Sequence, residues 1–314
     1  MPQEDGLGSG PGSRSGPGGP RRRRHSAARV LRTVASALAV GAAALVVYGV
    51  AIEPRLVLAT PRHQVTIPGL HDSWDGATVA VVADLQTGMW WANTRMVDRA
   101  VREVVDEDPD LVLLPGDFLY GEDSSVTRQA RQVVDHLRPL TDTTTPVVAV
   151  LGNHDHATGG AREITRALED AGVRVLHNDA FTVTREGEPL HVVGLAATRP
   201  GLTDVRAALS DVPPKAPRLV MMHNPTAFPR LPARSAPLAV AGHTHCGQVV
   251  LPGPSGWSHV ALSGEEKTVA EHWAPPSYGA EGNRLYVTCG LGFSLVPVRI
   301  NAPPEVALFM LRAP

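Results

Sequence analysis

A chain of 314 residues with 43 % apolar and 19 % charged side chains has the make-up of a folded protein and room for one large domain or two small ones. Its net charge of −2 is unevenly spread. Seven Arg against Glu4 and Asp5 within residues 1–32 leave the remainder at −7, which argues against nucleic acid as the body's main partner.

Residues 1–20 are mostly Gly, Pro, Ser and other polar residues, which bury too little apolar surface to offset ordering entropy. With the following basic run, RRRRHSAAR, they predict a disordered basic tail over 1–29. Residues 34–52, VASALAVGAAALVVYGVAI, carry no charge. As a helix they would span about 28 Å, close to the hydrocarbon thickness of a bilayer. The expected element is a transmembrane anchor over 30–52. A cleaved signal peptide is the rival reading, with Gly49-Val50-Ala51 as a small-residue cleavage site, but the apolar segment exceeds the usual length of such leaders. The adjacent arginines also resemble part of a twin-Arg export signal, and a buried core helix fits the composition least. Arginines ahead of the helix favour a cytoplasmic N-terminus, a single pass through the cell membrane and an extracytoplasmic body.

Residues 53–76, interrupted by Pro54, Pro61, Pro68 and Gly69, read as a linker with an entering strand. One domain is expected over 77–314. Apolar runs at 79–83, 111–114 and 147–151 alternate with helical spacing over 94–107, 126–137 and 161–171, the pattern of an α/β domain. Beyond residue 180, short runs at 190–195, 219–222, 238–241, 249–251, 285–288 and 306–311 predict more strands and fewer helices. They make a mixed sheet or a second sheet packed on the first.

Five of these runs end in the same way. VAVVADLQ leads to Asp84 and Gln86, LVLLPGDF to Asp117, VVAVLGNHDH to Asn153 and His154, LVMMHN to His223, and AVAGHTHCGQ to His243 and His245. In open α/β sheets ligands bind outside the carboxyl ends of strands. Carboxylates, imidazoles and an amide oxygen suit Mn²⁺, Fe²⁺ or Zn²⁺. There are more of them than one zinc site uses, so two ions sharing a carboxylate are expected. At a separation of about 3.5 Å two dications repel by about 19 kcal/mol at an effective dielectric of 20, which calls for bridging anions. Gly116, Gly152 and Gly242 each precede a candidate ligand and are expected to allow a tight turn there. His25, His63, His71 and His259 are expected to be ordinary surface or hydrogen-bonded histidines.

DLQ (84–86), GD (116–117), GNHD (152–155), His223 of MMHN and GHTH (242–245) resemble, in order, the five-block signature of the calcineurin-like metallophosphoesterases. GHTHCGQVVLPG, NRLYVTCGLG and PVRINAPPEVALFML resemble a bacterial membrane-anchored branch of that superfamily. The resemblance implies an α/β fold, a four-layer αββα sandwich with two central sheets, here preceded by one transmembrane helix. It implies one metal on Asp84, Gln86, Asp117 and His245. A second would sit on Asp117, Asn153, His223 and His243, with Asp117 bridging. His154 would assist the leaving group, and Asp155 would orient His154. A metal-bridging hydroxide would attack phosphorus in line. Two divalent ions are implied as cofactors, Mn²⁺ first, with Fe²⁺, Zn²⁺ or Mg²⁺ as alternatives.

Gln86 stands where the usual pattern is Asp-x-His. A related branch that hydrolyses nucleotide and alcohol diphosphates has Gln there too, so an adjusted first metal site is expected, shifted toward harder ions. Cys246 and Cys289, both near the expected site, have three open readings: a disulfide, two free thiols, or metal ligands. Trp90 and Trp91 would line a substrate groove, face the bilayer, or, as the default, pack in the ordinary way. His156 and His272 are further candidates for touching substrate. The expected activity is hydrolysis of phosphodiester or diphosphate bonds, with lipid-linked or cell-envelope compounds as candidate substrates. The alternative is a membrane-tethered metal- or phosphate-binding protein of little or no activity. A mononuclear iron oxygenase has too few ligands for this set.

Overall fold

The computed structural model describes residues 21–121, 125–250 and 263–314, with side chains from residue 27 onward. Residues 1–20 of the expected tail, His259, and the end of the expected strand at 249–251 lie outside the described residues. The chain divides into two units, Met1–Val46 and Val47–Pro314.

The first unit contains most of helix α1 (Arg21–Val47). Residues 21–29, expected in the tail, are helical, in keeping with the good helix propensity of Arg and Ala. Among the described residues one helix is long and apolar enough to cross a membrane, Ala27–Leu56, with a mean hydropathy of 2.1. That span encloses the segment expected as an anchor, and the compact unit that follows begins within it, at Val47. The backbone carbonyl of Gly49 accepts the Arg299 amide at 2.8 Å. In α2 (Glu53–Leu56), the buried Glu53 carboxylate accepts the backbone amides of Asn301 and Ala302.

The body holds two six-stranded sheets. Strands β1 (Arg62–Thr66), β2 (Thr78–Val81), β3 (Leu111–Leu114), β4 (Val147–Val150) and β5 (Arg174–Leu176) belong to the first. Helices α3 (Thr94–Asp106), α4 (Val126–Thr141), α5 (Asn153–Ala157) and α6 (Ala161–Asp170) lie between them in sequence. The second sheet follows with β6 (Asp179–Arg185), β7 (Glu188–Leu195), β8 (Arg218–Met222), β9 (Ala239–Ala241), β10 (His272–Trp273) and β11 (Leu285–Val287). Helix α7 (Val205–Leu209) separates β7 from β8. The chain then returns to the first sheet as β12 (Ala307–Arg312). The strand orders are β1-β12-β2-β3-β4-β5 and β10-β11-β9-β8-β7-β6.

Apart from Thr78, β2, β3 and β4 are apolar throughout, and they pair in parallel, as strands covered on both faces do. Their alternation sorts side chains between layers. Val112 and Leu114 face α3, α4 and α6, while Leu111 and Leu113 meet Leu219 and Met221 of the second sheet. Val220 and Met222 face the outer layer with Ala208 of α7 and Phe228. The result is the expected four-layer αββα sandwich. The departures are local. Val249 makes only an isolated bridge with Ile300, and the apolar runs did not signal β5, β10 or the first strand of the β6–β7 hairpin, Asp179–Arg185. Parallel pairing puts the carboxyl ends of β2, β3 and β4 on one edge, and those of β8 and β9 do the same in the other sheet.

Candidate metal centre

The loops leaving these five strands carry all the expected ligands. Asp84, Gln86, Asp117, His243 and His245 have φ between 46° and 76°. Left-handed backbone at a non-glycine residue costs about 1–3 kcal/mol and persists where surroundings over-determine it, often at functional sites. The glycines work differently from expectation at two of three positions. Gly116 has a φ of 87°, but Gly152 and Gly242 make room. A Cβ on Gly152 would stand 2.0 Å from Asp117 Oδ1, and one on Gly242 2.7 Å from Asp84 Oδ2.

One half of the centre gathers Asp117, Asn153, His223 and His243. His223 is fully buried, and its Nδ1 lies 2.7 Å from the Pro115 carbonyl. Only an N–H can sit there, so in the neutral ring Nε2 carries a lone pair. That Nε2 faces Asp117 Oδ2 at 3.2 Å and Asn153 Oδ1 at 3.1 Å. Asn224 Nδ2 donates to Asn153 Oδ1 at 3.1 Å and so turns the oxygen toward His223. Acceptors therefore converge on one point, which requires a proton or a metal cation between them. Asp117, His223 and His243 each offer a ligand atom within 4.8 Å of the others. Burial works against a charged His223, but the Asp117 carboxylate beside it wins and holds it up at about 9.

The other half gathers Asp84, Gln86, Asp117 and His245. Gln86 Nε2 lies 3.4 Å from Asp117 Oδ2 and 3.2 Å from His245 Nε2, and His245 Nε2 lies 3.8 Å from Asp84 Oδ1. Gln86 Oε1 is buried without a hydrogen-bond partner among the described residues. Amide nitrogen and oxygen exchange by a half-turn, which would place the oxygen among these same ligand atoms. Burial and the nearby Asp117 charge push Asp84 up to about 7. A buried carboxylate pair that resists double ionisation is the surrounding a divalent cation relieves. The donor set fits metal on the half with Asn153, His223 and His243. On the other, Asp84, Asp117 and the turned Gln86 oxygen fit, whereas Arg299, 3.3 Å from His245 Nδ1, favours the lone pair there and the proton on Nε2, so His245 would have to exchange tautomer to ligate.

His154 lies on α5, its ring 4.5 Å from that of Tyr120. Burial lowers its pKa, partly offset by Asp117, and its backbone amide donates to Asp117 Oδ1 at 2.8 Å. Asp155 departs from its expected role. Its Oδ1 accepts the amides of Phe118 and Leu119, and its Oδ2 those of Asp117 and Gly152. With about four lone-pair positions on a carboxylate, these bonds occupy it. Asp155 ties the β3 and β4 loops together and does not hold the His154 ring.

Three partners had no clear sequence signal. Glu266, buried, receives His243 Nε2 at 2.9 Å, and that bond, outweighing the upward push of burial, holds its carboxyl down at about 2. Arg299 is fully buried, caps the carbonyls of Gly292 and Ala302, and lies 3.3 Å from His245 Nδ1. Burial and the Arg299 charge lower the His245 pKa well below the usual value. Tyr120 lies beside His154 without any motif of its own. Asn224 had a weak signal, since it directly follows His223.

Of the open cysteine readings, the structure contains the disulfide, Cys246–Cys289, joining the loops after β9 and β11. His272 bonds Glu305 at 3.2 Å, and Glu305 also accepts the Tyr286 hydroxyl. His63 lies among Trp273, Tyr286 and Phe309, an aromatic setting instead of the surface or hydrogen-bonded one expected. His156 Nε2 is buried without a hydrogen-bond partner among the described residues. Trp90 and Trp91 do not pack in the default way: they are 73 % and 47 % exposed.

Residues 77–247 match the family described as calcineurin-like phosphoesterase. The phosphodiesterase YaeI of Escherichia coli is 31 % identical over 69 % of this chain and 75 % of its own length. A UDP-2,3-diacylglucosamine pyrophosphatase of Chlamydia trachomatis is 23 % identical over 82 % of this chain and 90 % of its own. A bovine transmembrane protein with a metallophosphoesterase domain is 26 % identical over 80 % of this chain and 56 % of its own.

Proposed function

The chain belongs to the calcineurin-like phosphoesterases and is a metal-dependent phosphoric ester hydrolase; from that premise we propose that it is a membrane-anchored, two-metal enzyme cleaving phosphodiester or diphosphate bonds. The observation that carries the reading is the convergence of His223 Nε2, Asp117 Oδ2 and Asn153 Oδ1 on one buried point. Asp84, Gln86, Asp117 and His245 would hold one ion and Asp117, Asn153, His223 and His243 the other. Bound there, divalent ions supply Lewis acidity and an activated water. Mn²⁺ is the first choice because Gln86 adds an oxygen ligand where imidazole is usual, and oxygen suits harder ions.

The chain's own groups do the rest. The Pro115 carbonyl holds the His223 tautomer, Glu266 orients His243, and the Asp155 brace keeps Asp117 opposite Asn153. His154, kept neutral by burial, offers an N–H to the departing oxygen. The apolar helix Ala27–Leu56 would tether the enzyme with its N-terminus in the cytoplasm and the body outside. A relative named for an acylated nucleotide diphosphate supports an amphiphilic, lipid-linked substrate.

The test is hydrolysis of bis-p-nitrophenyl phosphate by the full chain in detergent, with Mn²⁺ and with chelator, beside Asp117→Asn. Turnover that needs the metal and vanishes in the variant supports the reading. A folded, metal-loaded protein inert on this diester and on amphiphilic diphosphates would favour the binding-only alternative.

A further inference from the structure

We propose that the lip of the catalytic mouth is a membrane-docking surface, formed by three loops that seat the body on a lipid bilayer. Large apolar side chains exposed in the body concentrate in three places. Leu56 and Val57 close the first segment, Trp90 and Trp91 follow the Gln86 loop, and Leu295 and Val296 follow β11. Leu56, Trp90 and Leu295 are 64 %, 73 % and 65 % exposed. Outside residues 47–57, 90–91 and 295–296, Leu202, at 36 %, is the one other exposed large apolar residue among the described residues of the body. An apolar concentration of this kind marks an interaction site.

Polar bonds knit the three segments into one surface. Arg55 donates to the carbonyls of Trp91 and Ala92 and to Asn93 Oδ1. Its guanidinium lies 4.5 Å from the Trp91 ring and 5.0 Å from that of Phe293. Asn93 Nδ2 donates to the carbonyls of Pro54 and Leu291 at 2.8 and 2.9 Å. Gln248 clips the third segment through the Ser294 amide and the Val296 carbonyl.

The same surface borders the candidate centre. The Gly292 amide donates to the Asp84 carbonyl at 2.7 Å. The Leu295 amide donates to the Tyr120 hydroxyl at 3.1 Å, and the Tyr120 ring lies tilted against that of His154, 4.5 Å between centroids. A surface that accepts lipid at Leu295 is therefore one tyrosine from the residue assigned to the leaving group.

Two observations choose a bilayer over a second protein copy. The first segment is covalently continuous with the apolar helix, so a membrane holding that helix reaches the level of residues 48–57. The chemistry of the lip is interfacial: exposed indoles with an arginine folded over one of them match the aromatic belts of membrane proteins. The proposal rests on the anchored reading of the helix and adds that the body is held down, not merely tethered.

The test uses the full chain in vesicles of phosphatidylcholine and phosphatidylglycerol, with or without lipids brominated near the headgroup. Tryptophan emission is compared between the protein, a Trp90→Tyr/Trp91→Tyr variant and a Leu295→Asp/Val296→Asp variant. Metal content and thermal unfolding check that each is folded. The expected result is bromine quenching in the unaltered protein that is largely lost in both variants. Unchanged quenching in either folded variant overturns the proposal. A chain that floats with the vesicles but shows no quenching overturns docking alone and leaves the anchor standing. Cross-linking of Trp91 segments between two copies, again without quenching, gives the lip to a dimer and overturns it too. A chain left behind by the vesicles overturns both readings.

Discussion

The two halves of the centre share Asp117 but are backed by opposite chemistry. Behind the second half stand groups that strengthen a ligand: the Pro115 carbonyl on His223 and the Glu266 carboxylate on His243. Such outer partners fix ring orientation and raise ligand basicity. Behind the first half stands a cation. Arg299 meets His245 Nδ1, and its charge and the burial of the site depress the basicity of that ring. The first half also uses an amide, Gln86, where imidazole is usual. On the proposed two-metal reading, the second half is therefore expected to bind metal more tightly than the first.

The largest expected effect erases the comparison. Asp117→Asn removes the shared carboxylate, and turnover should fall about 1000-fold or more, equivalent to several kcal/mol of lost charge stabilisation. Metal analysis should then show both ions weakened; retention of one at full affinity would mean that Asp117 is not shared. Glu266→Gln should weaken the tighter ion about 10- to 100-fold and spare the other. Titration calorimetry with Mn²⁺ reads this as the two binding steps moving together, whereas loss of the weaker step would reverse the ranking. Gln86→His should strengthen the weaker step by a smaller factor, about tenfold, because imidazole binds these ions more strongly than an amide oxygen. If the unaltered protein already takes up two ions in one step, the ranking is wrong.

The smallest effect lies behind the first half, where the disulfide neighbourhood is braced by His272 on Glu305. The hydrogen bond to Glu305, ahead of the opposing burial, raises the His272 pKa. A raised pKa means that the folded state binds the proton more tightly than the unfolded chain. The stability it adds is fully present below the unfolded value near 6.5 and is lost as pH rises through the higher folded value. The gap in urea midpoint between the protein and His272→Ala should therefore be wider at pH 6 than at pH 9. A gap independent of pH would assign the pair no ionic part.

Much of this was legible in the chain. The apolar runs and their period separate the layers, as Val112 against Leu113 shows, because alternation along a strand is local geometry. The ligand order was legible because each side chain directly follows a strand, and parallel strands share one carboxyl edge. Asp155 shows where such reading stops. Its place in GNHD suggested a partner for His154, but its role is set by the backbone amides that happen to point at it.

Sequence alone thus determined the fold class, the types and order of the candidate ligands, and the presence of an apolar helix before the body. Tertiary structure decided which residues stand behind the candidate ligands and which apolar residues remain outside. Glu266 and His243 are 23 residues apart, Arg299 and His245 54, and Leu295 and Tyr120 175. Contacts at such separations depend on how loops from two sheets meet, and no period in the chain encodes that meeting. Trp90 and Leu295 look like core residues by composition; only the absence of a covering layer among the described residues reveals them as surface.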